Sequence, residues 1–362
     1  MAETKKVAML IENHFEDSEF EIPRAALERA GAEVTVLGSR TNEKYTGKQL
    51  KVSVEADATT TDARASDFDA VVIPGGMAPD KMRTNQKTVR FVQDAFEQGK
   101  LVAAVCHGPQ VLIEGDLLRG KRATGFRAIR KDMQNAGAKY ENAPLVTDGN
   151  LLTSRRPADL PIFAAALLRR LGLTPLPLEL NVPDENDLSA EWWQVAEMWG
   201  GQSKQELVDG VNTAVRGERY ALTAFEKYAE KATDPAIKSL FEEIVTSKRR
   251  HLQMLEGRLR TLGGELDMQA AGAGAWATLK SWLQGSDDTA LLRRAMGDLQ
   301  TGVVDAFNLT NQFTDPVTAA LFDEIELDLA RHEQLVADHY HARIGAGKTE
   351  PASPTTGAAV SA

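Results

Sequence analysis

The sequence predicts a parallel-sheet α/β domain followed by an all-α four-helix bundle, and three observations carry that prediction. Residues 5–173 alternate short apolar runs with amphipathic helical stretches, as a parallel sheet covered on both faces requires. Residues 203–344 keep helical periodicity alone. Between them lies a segment rich in proline and acidic residues, the composition of a linker. A chain of 362 residues also exceeds what one hydrophobic core usually supports.

The elements follow in order. "KVAMLI" (6–11) is a first buried strand, "EFEIPRAALERAG" (19–31) a helix closing on Gly31, and "AEVTVLG" (32–38) a second strand. "FDAVVIPGG" (68–76) is a buried strand ending at a glycine pair. "QKTVRFVQDAFEQGK" (86–100) has the spacing of an amphipathic helix, and "LVAAVCHG" (101–108) is a strand running into a sharp turn. Asp148-Gly149 between apolar runs signals a hairpin within 144–154, and residues 158–172 form a final covering helix. The expected boundaries are an α/β domain at 1–173, a linker at 174–202, a bundle at 203–344 and a disordered tail at 345–362. The linker holds Trp192, Trp193 and Trp199, so part of it is expected to dock on a neighbouring surface.

Four helices are expected near 203–231, 235–263, 288–313 and 316–344, with Ser203 and Asp288 as N-caps and Gly263-Gly264 as a stop. "DPAIKSLFEEIVTSKRRH" (234–251) parallels "DPVTAALFDEIELDLARH" (315–332). This internal repeat pairs the helices two by two across a long connection at 264–287.

Hydrophobic content of 43% and charged content of 26% are those of a globular protein, and no apolar run approaches the about eighteen residues that span a bilayer. The N-terminus reads as a strand rather than a secretory signal, and no membrane partner is expected. A net charge of −10 argues against nucleic acid as a partner, because phosphate contacts need a basic surface. One cysteine in the whole chain forms no internal disulfide, so a reducing, cytoplasmic location is expected.

That cysteine, Cys106, sits where a strand ends and Gly108-Pro109 open the next helix. Such a turn lies at the carboxyl edge of a parallel sheet, where α/β folds place their sites, and the following helix N-terminus favours thiolate. His107 is placed to serve as base or orienter if the turn folds its ring back. The ordinary alternative is a small buried hydrophobe.

"AVCHGPQVL", with "VIPGGMAPDKMR" (72–83) and "NHFEDSEFEIP" (13–23), resembles the PfpI/ThiJ superfamily, most closely its PfpI-type intracellular peptidase and deglycase branch. The likeness runs through residues 133–163 and covers 5–173. It implies a flavodoxin-like, class I glutamine amidotransferase-like sandwich with Cys106 as nucleophile and His107 as general base and acid. It also implies Glu16 against the cysteine as a tuner of the thiol, and Asp80 completing a triad across a subunit interface. Gly75 and Gly76 would admit backbone N–H groups to a substrate oxyanion. The implied partners are a second copy of the chain, in a homo-oligomer, and a small-molecule or peptide substrate.

The helical segment is similar to ferritin-like bundles, which in their di-iron form need a Glu on each of two helices and Glu-x-x-His on the other two. His251 and His332 hold the histidine positions and Glu218 one glutamate position. The residues three before each histidine, however, are Lys248 and Leu329, and Asp305 stands on the third helix. No metal cofactor is therefore expected. Glu218, His251, Asp328 and His332, with Glu243, are the residues left as metal candidates.

The expected function is a cysteine hydrolase acting on peptide, amide or methylglyoxal-type glycation adducts in stress protection. A glyoxalase-type lyase acting on free methylglyoxal uses the same nucleophile and oxyanion geometry. A redox-sensing or chaperone-like module needs the acidic thiol but no proton shuttle.

Overall fold

The computed structural model describes residues 4–174, 182–266 and 286–346. These divide into two compact units, one of residues 1–208 with 308–321 and the other of residues 209–307 with 322–362. The expected tail beyond residue 346, the prolines at 175 and 177, and most of the connection at 264–287 lie outside the described residues.

The first unit is built on a sheet of seven strands. In chain order they are β1 (Lys6–Leu10), β2 (Glu33–Gly38), β5 (Ala58–Thr59), β6 (Ala70–Ile73), β7 (Leu101–Val105), β10 (Leu145–Asp148) and β11 (Leu151–Ser154). Their spatial order is β10-β11-β7-β6-β1-β2-β5, with every neighbouring pair parallel except the β10–β11 hairpin. Strands β6 and β7 are buried at every residue, which is why they read as unbroken apolar runs instead of alternating. Helices α1 (Asp17–Arg29), α3 (Gln86–Glu97) and α6 (Leu160–Leu171) flank the sheet, with the short α2 (Ala78–Met82), α4 (Pro109–Glu114) and α5 (Arg130–Asn135) after the strand ends. Two small ribbons escaped the sequence reading: β3 (Lys44–Thr46) with β4 (Ser53–Glu55), and β8 (Arg122–Ala123) with β9 (Lys139–Tyr140). Strands of two or three residues carry too few alternations to register as periodic.

Helix α7 (Trp193–Met198) belongs to this unit. Trp192 and Trp199 are fully buried with the α/β core, and the Trp192 indole N–H donates to the Asp187 carbonyl at 2.8 Å. Gln202 and Thr314 exchange two hydrogen bonds, which ties the loop before the last helix to the same unit.

The helical region comprises α8 (Lys204–Lys231), α9 (Pro235–Thr261), α10 (Asp288–Thr310) and α11 (Pro316–Ala346). Ser203 and Glu206 form a reciprocal capping box: the Glu206 N–H donates to Ser203 Oγ at 3.2 Å, and Glu206 Oε2 accepts from the Ser203 N–H at 2.8 Å. The repeated Asp-Pro serves as N-cap and first helical residue, with Asp234 accepting from Ala236 N–H at 2.9 Å and Asp315 from Thr318 N–H at 2.8 Å. Asp288 is not the cap expected for α10. Asp287 accepts from the Ala290 N–H at 2.8 Å, and the Asp288 carboxylate turns to the backbone N–H groups of Thr233 and Asp234. Either aspartate suits a helix start in sequence, and the neighbouring α8–α9 turn decides between them. No helix among the described residues is long and apolar enough to cross a membrane.

Candidate active site

Strand β7 delivers Cys106 to the carboxyl edge of the sheet. Its N–H donates to the Ser154 carbonyl at 3.0 Å, continuing the β7–β11 ladder one residue past the strand. The backbone then reverses with Cys106 at φ 60, in the left-handed region that a side chain rarely adopts. The strain is that of a strand-to-helix elbow, which lifts a nucleophile out of the sheet. Cys106 is buried and His107, directly after it, is half-buried with its ring centroid 5.1 Å from that of Phe126. Helix α4 behind the turn has only six residues, a short source of the dipole expected to act on the thiol.

The carboxyl against the thiol is Glu19, not Glu16. Glu19 is fully buried, packs with Cys106 against Gly75, and accepts from the Gly75 N–H at 2.7 Å. Burial, together with the neighbouring charge of Glu16, pushes the Glu19 carboxyl up to about 8. Burial and the Glu19 charge likewise hold the thiol up, so the pair resists carrying two negative charges and shares a proton. Glu16 stands one helical turn earlier, buried as well, with Oε2 2.5 Å from the Lys48 ammonium and Oε1 3.5 Å from the Gln49 amide nitrogen. The sequence does carry the signal for Glu19. With Ile22, Pro23 and Ala26 it lies at i, i+3, i+4 and i+7 on the buried face of α1, whereas Glu16 is the residue the family resemblance implies.

The glycine pair also divides its work. Gly75 must lack a side chain because a Cβ there would stand 2.6 Å from Glu19 Oε2, 2.7 Å from His107 N and 2.8 Å from Cys106 Cβ. Its N–H is taken by Glu19 and the Cys106 N–H by Ser154, so neither faces a substrate oxygen. Gly76, at φ 75, is paired through an isolated bridge with Phe15. Among the described residues, no group accepts the N–H of Gly76 or of His107. These two unengaged donors, each directly following Gly75 or Cys106 in the chain, are the oxyanion-binding candidates. Burial and the positive charge of Lys48 hold the His107 imidazole below its usual value, leaving it neutral and able to accept a proton near neutral pH. Asp80 lies exposed on α2, outside the Cys106–Glu19–Glu16 cluster, with no ion pair or hydrogen bond from its side chain among the described residues.

In the second unit the metal candidates come together as an ion-pair network. Lys248, buried, donates to Glu218 Oε1 at 3.0 Å, and His251, fully buried, has Nδ1 3.5 Å from Glu218 Oε2 and Nε2 2.9 Å from Asp328 Oδ2. His332 stands with Nδ1 3.9 Å from Asp328 and Nε2 3.6 Å from Glu243. Burial opposes the Glu218 charge, but Lys248 and His251 outweigh it and hold the carboxyl below its usual range. The residues do not fit a di-iron centre. A fixed ammonium already engages Glu218, Leu329 packs in the core where a second carboxylate is needed, and among the described residues no three ligand side chains converge on one point.

Comparison with known proteins places this geometry. Residues 5–170 match the family model described as DJ-1/PfpI family, and residues 206–304 a domain of unknown function. A Bacillus subtilis protein bearing a cysteine protease name, YraA, is 46% identical over 160 residues, 44% of this chain and 94% of that one. Protein/nucleic acid deglycase 2 of Escherichia coli is 41% identical over 170 residues, 47% of this chain and 99% of that one. A crystal structure from Anabaena variabilis, described as a two-domain protein containing DJ-1/ThiJ/PfpI-like and ferritin-like domains, is 55% identical. It covers 98% of this chain and 100% of its own, with a TM-score of 0.88. With its elbow cysteine, buried glutamate and glycine pair in the matched region, and relatives covered almost end to end, the chain belongs to the DJ-1/PfpI family.

Proposed function

We propose that the protein is a cysteine-dependent hydrolase of peptide, amide or methylglyoxal-type glycation adducts, with Cys106 as its nucleophile. The observation that carries this reading is the strained elbow at Cys106, φ 60, set against a buried Glu19, with the N–H groups of the neighbouring Gly76 and His107 unengaged. A left-handed cysteine costs stability, and a merely structural residue has no need of it.

In the proposed reaction the sulfur attacks the substrate carbonyl carbon, and the thiol proton leaves to neutral His107. The Gly76 and His107 N–H groups take the developing oxyanion. From a peptide or amide, His107 returns the proton to the departing amine and a thioester is left on Cys106. From a methylglyoxal adduct, displacement of the amine or thiol leaves a hemithioacetal on Cys106, and transfer of its C1 proton to the adjacent carbonyl carbon through an enediolate gives the isomeric lactoyl thioester. Water, deprotonated by His107, then hydrolyses that thioester and restores the thiol. Asp80, exposed on α2, is proposed to complete the triad from a second copy in a homo-oligomer. The names of the relatives, one a cysteine protease and one a deglycase, support this reaction class.

The test is turnover of methylglyoxal-modified amines and thiols, free methylglyoxal and a fluorogenic peptide panel by wild type and Cys106→Ser. Loss of at least about a thousandfold in the variant is expected. Activity unchanged by Cys106→Ser overturns the mechanism. A folded wild type that turns over none of these substrates favours redox sensing through Cys106 instead.

A further inference from the structure

The turn between β3 and β4 carries a cation into the site, and it is held there by a residue the reaction does not touch. Lys48 Nζ lies 2.5 Å from Glu16 Oε2, and its positive charge acts on Glu19, Cys106 and His107. Lys48 belongs to an exposed turn in which Leu50 has φ 59, a segment with little packing of its own. Asp17 is what anchors it. Its carboxylate, 3% exposed, accepts from the backbone N–H of Gln49 at 2.8 Å, of Lys51 at 3.1 Å and of Val52 at 2.9 Å. Gly47 packs so closely on this carboxylate that a Cβ there would stand 2.4 Å from it. The Lys48 N–H adds a bond to the Phe15 carbonyl at 2.8 Å.

We propose that Asp17 is a positioning residue: by tying down the backbone of residues 47–52 it seats the Lys48 ammonium on Glu16, beside Cys106 and Glu19. Three backbone bonds on one buried carboxylate fix the turn far more tightly than the single Lys48–Glu16 pair does, because a long lysine side chain loses rotamer freedom in forming that pair. The seated ammonium offsets the Glu16 charge that faces the Cys106–Glu19 pair, and thiolate then forms beside one uncompensated carboxyl instead of two. The charged and titratable groups facing the sulfur are Glu19 and Glu16 from the start of α1, Lys48 from the turn and His107 from the elbow. Those facing Asp17 are Glu21 and, through Glu21, Lys51. The assignment rests on reading Cys106 as the nucleophile, and its test does not require a substrate.

The experiment is the rate of Cys106 alkylation by iodoacetamide as a function of pH, on the full chain. Asp17→Asn and Lys48→Gln are each expected to move the profile to higher pH, slowing alkylation near neutral pH by about tenfold for each unit of displacement. The double variant is expected to match Lys48→Gln alone, since Asp17 acts through Lys48. Should Asp17→Asn fail to fold, Gly47→Ala displaces the turn while keeping the carboxylate and is expected to give the same shift. A folded Asp17→Asn or Gly47→Ala with the wild-type profile overturns the proposal. So does an Asp17→Asn effect that persists in full on the Lys48→Gln background. Loss of turnover in Cys106→Ser with no shift in these variants leaves the nucleophile standing and removes only the positioning role.

Discussion

Cys106 and Glu19 behave as one titrating unit, and the consequence for stability has a definite sign. Glu19 is pushed up to about 8 from the 4.5 of an ordinary glutamate. Between those values the folded protein holds a proton that the unfolded chain releases, so stability is full below about pH 4.5 and falls as pH rises through about 8. Glu19→Gln, neutral throughout, is expected to flatten this fall. Denaturant midpoints of the two proteins at about pH 5 and about pH 8 check it: the wild type loses more of its stability than the variant over that interval. Equal slopes would mean that Glu19 is already ionised at the lower pH. Nothing in the local run "FEDSEFE" separates Glu16, Asp17 and Glu19 by type. The helical register does, by setting Glu19 among Ile22, Pro23 and Ala26 on the buried stripe.

At the scale of elements, the long helices are legible because their starts are chemical. Ser203 and Glu206, Asp234 with Pro235, and Asp315 with Pro316 are local signals that need no tertiary partner. Ser203→Ala removes both the hydroxyl acceptor for the Glu206 N–H and its donor to Glu206, and is expected to cost about 1 kcal/mol in urea denaturation of the full chain. A cost near zero would show that water replaces the cap. The short elements were not legible for the opposite reason. The β3–β4 ribbon owes its place to Asp17, 32 residues away from Gln49 in sequence, and no pattern inside residues 44–55 announces that bond. Asp288 shows the same limit at a helix start, where the Thr233–Asp234 turn claims its carboxylate and Asp287 caps the helix.

In the molecule as a whole, one unit concentrates strain around a single sulfur and the other neutralises its buried charges internally. Lys248 lies on the apolar stripe of α9, four residues after Ile244 and three before His251, a position where an unpaired ammonium is not tolerated. Lys248→Met leaves Glu218 buried without its cation and is expected to cost about 3–5 kcal/mol. Adding Glu218→Leu removes the stranded charge and is expected to restore most of that loss, as thermal melts of the full chain check. Chelator is expected to leave the wild-type melt unchanged, because Lys248 already supplies the compensating charge at Glu218. A chelator-induced drop in melting temperature would overturn this account of the bundle core.

What the sequence by itself determined is what local periodicity and local chemistry encode. That includes the alternation of buried strands with helices, the elbow at Cys106, the long helices with their Asp-Pro starts, and the break at Lys248 and Leu329 in the ferritin-like pattern. The tertiary structure decided which polar groups meet. It put Glu19 rather than Glu16 against the thiol, spent the N–H groups of Gly75 and Cys106 on Glu19 and Ser154, and left those of Gly76 and His107 without an acceptor among the described residues. It also seated Lys48 on Glu16 through Asp17. The physical reason is the same throughout. Hydrophobic periodicity repeats along the chain and so is visible in it, whereas a hydrogen bond or ion pair depends on distances of a few ångströms between residues far apart in sequence, which exist only after the chain has folded.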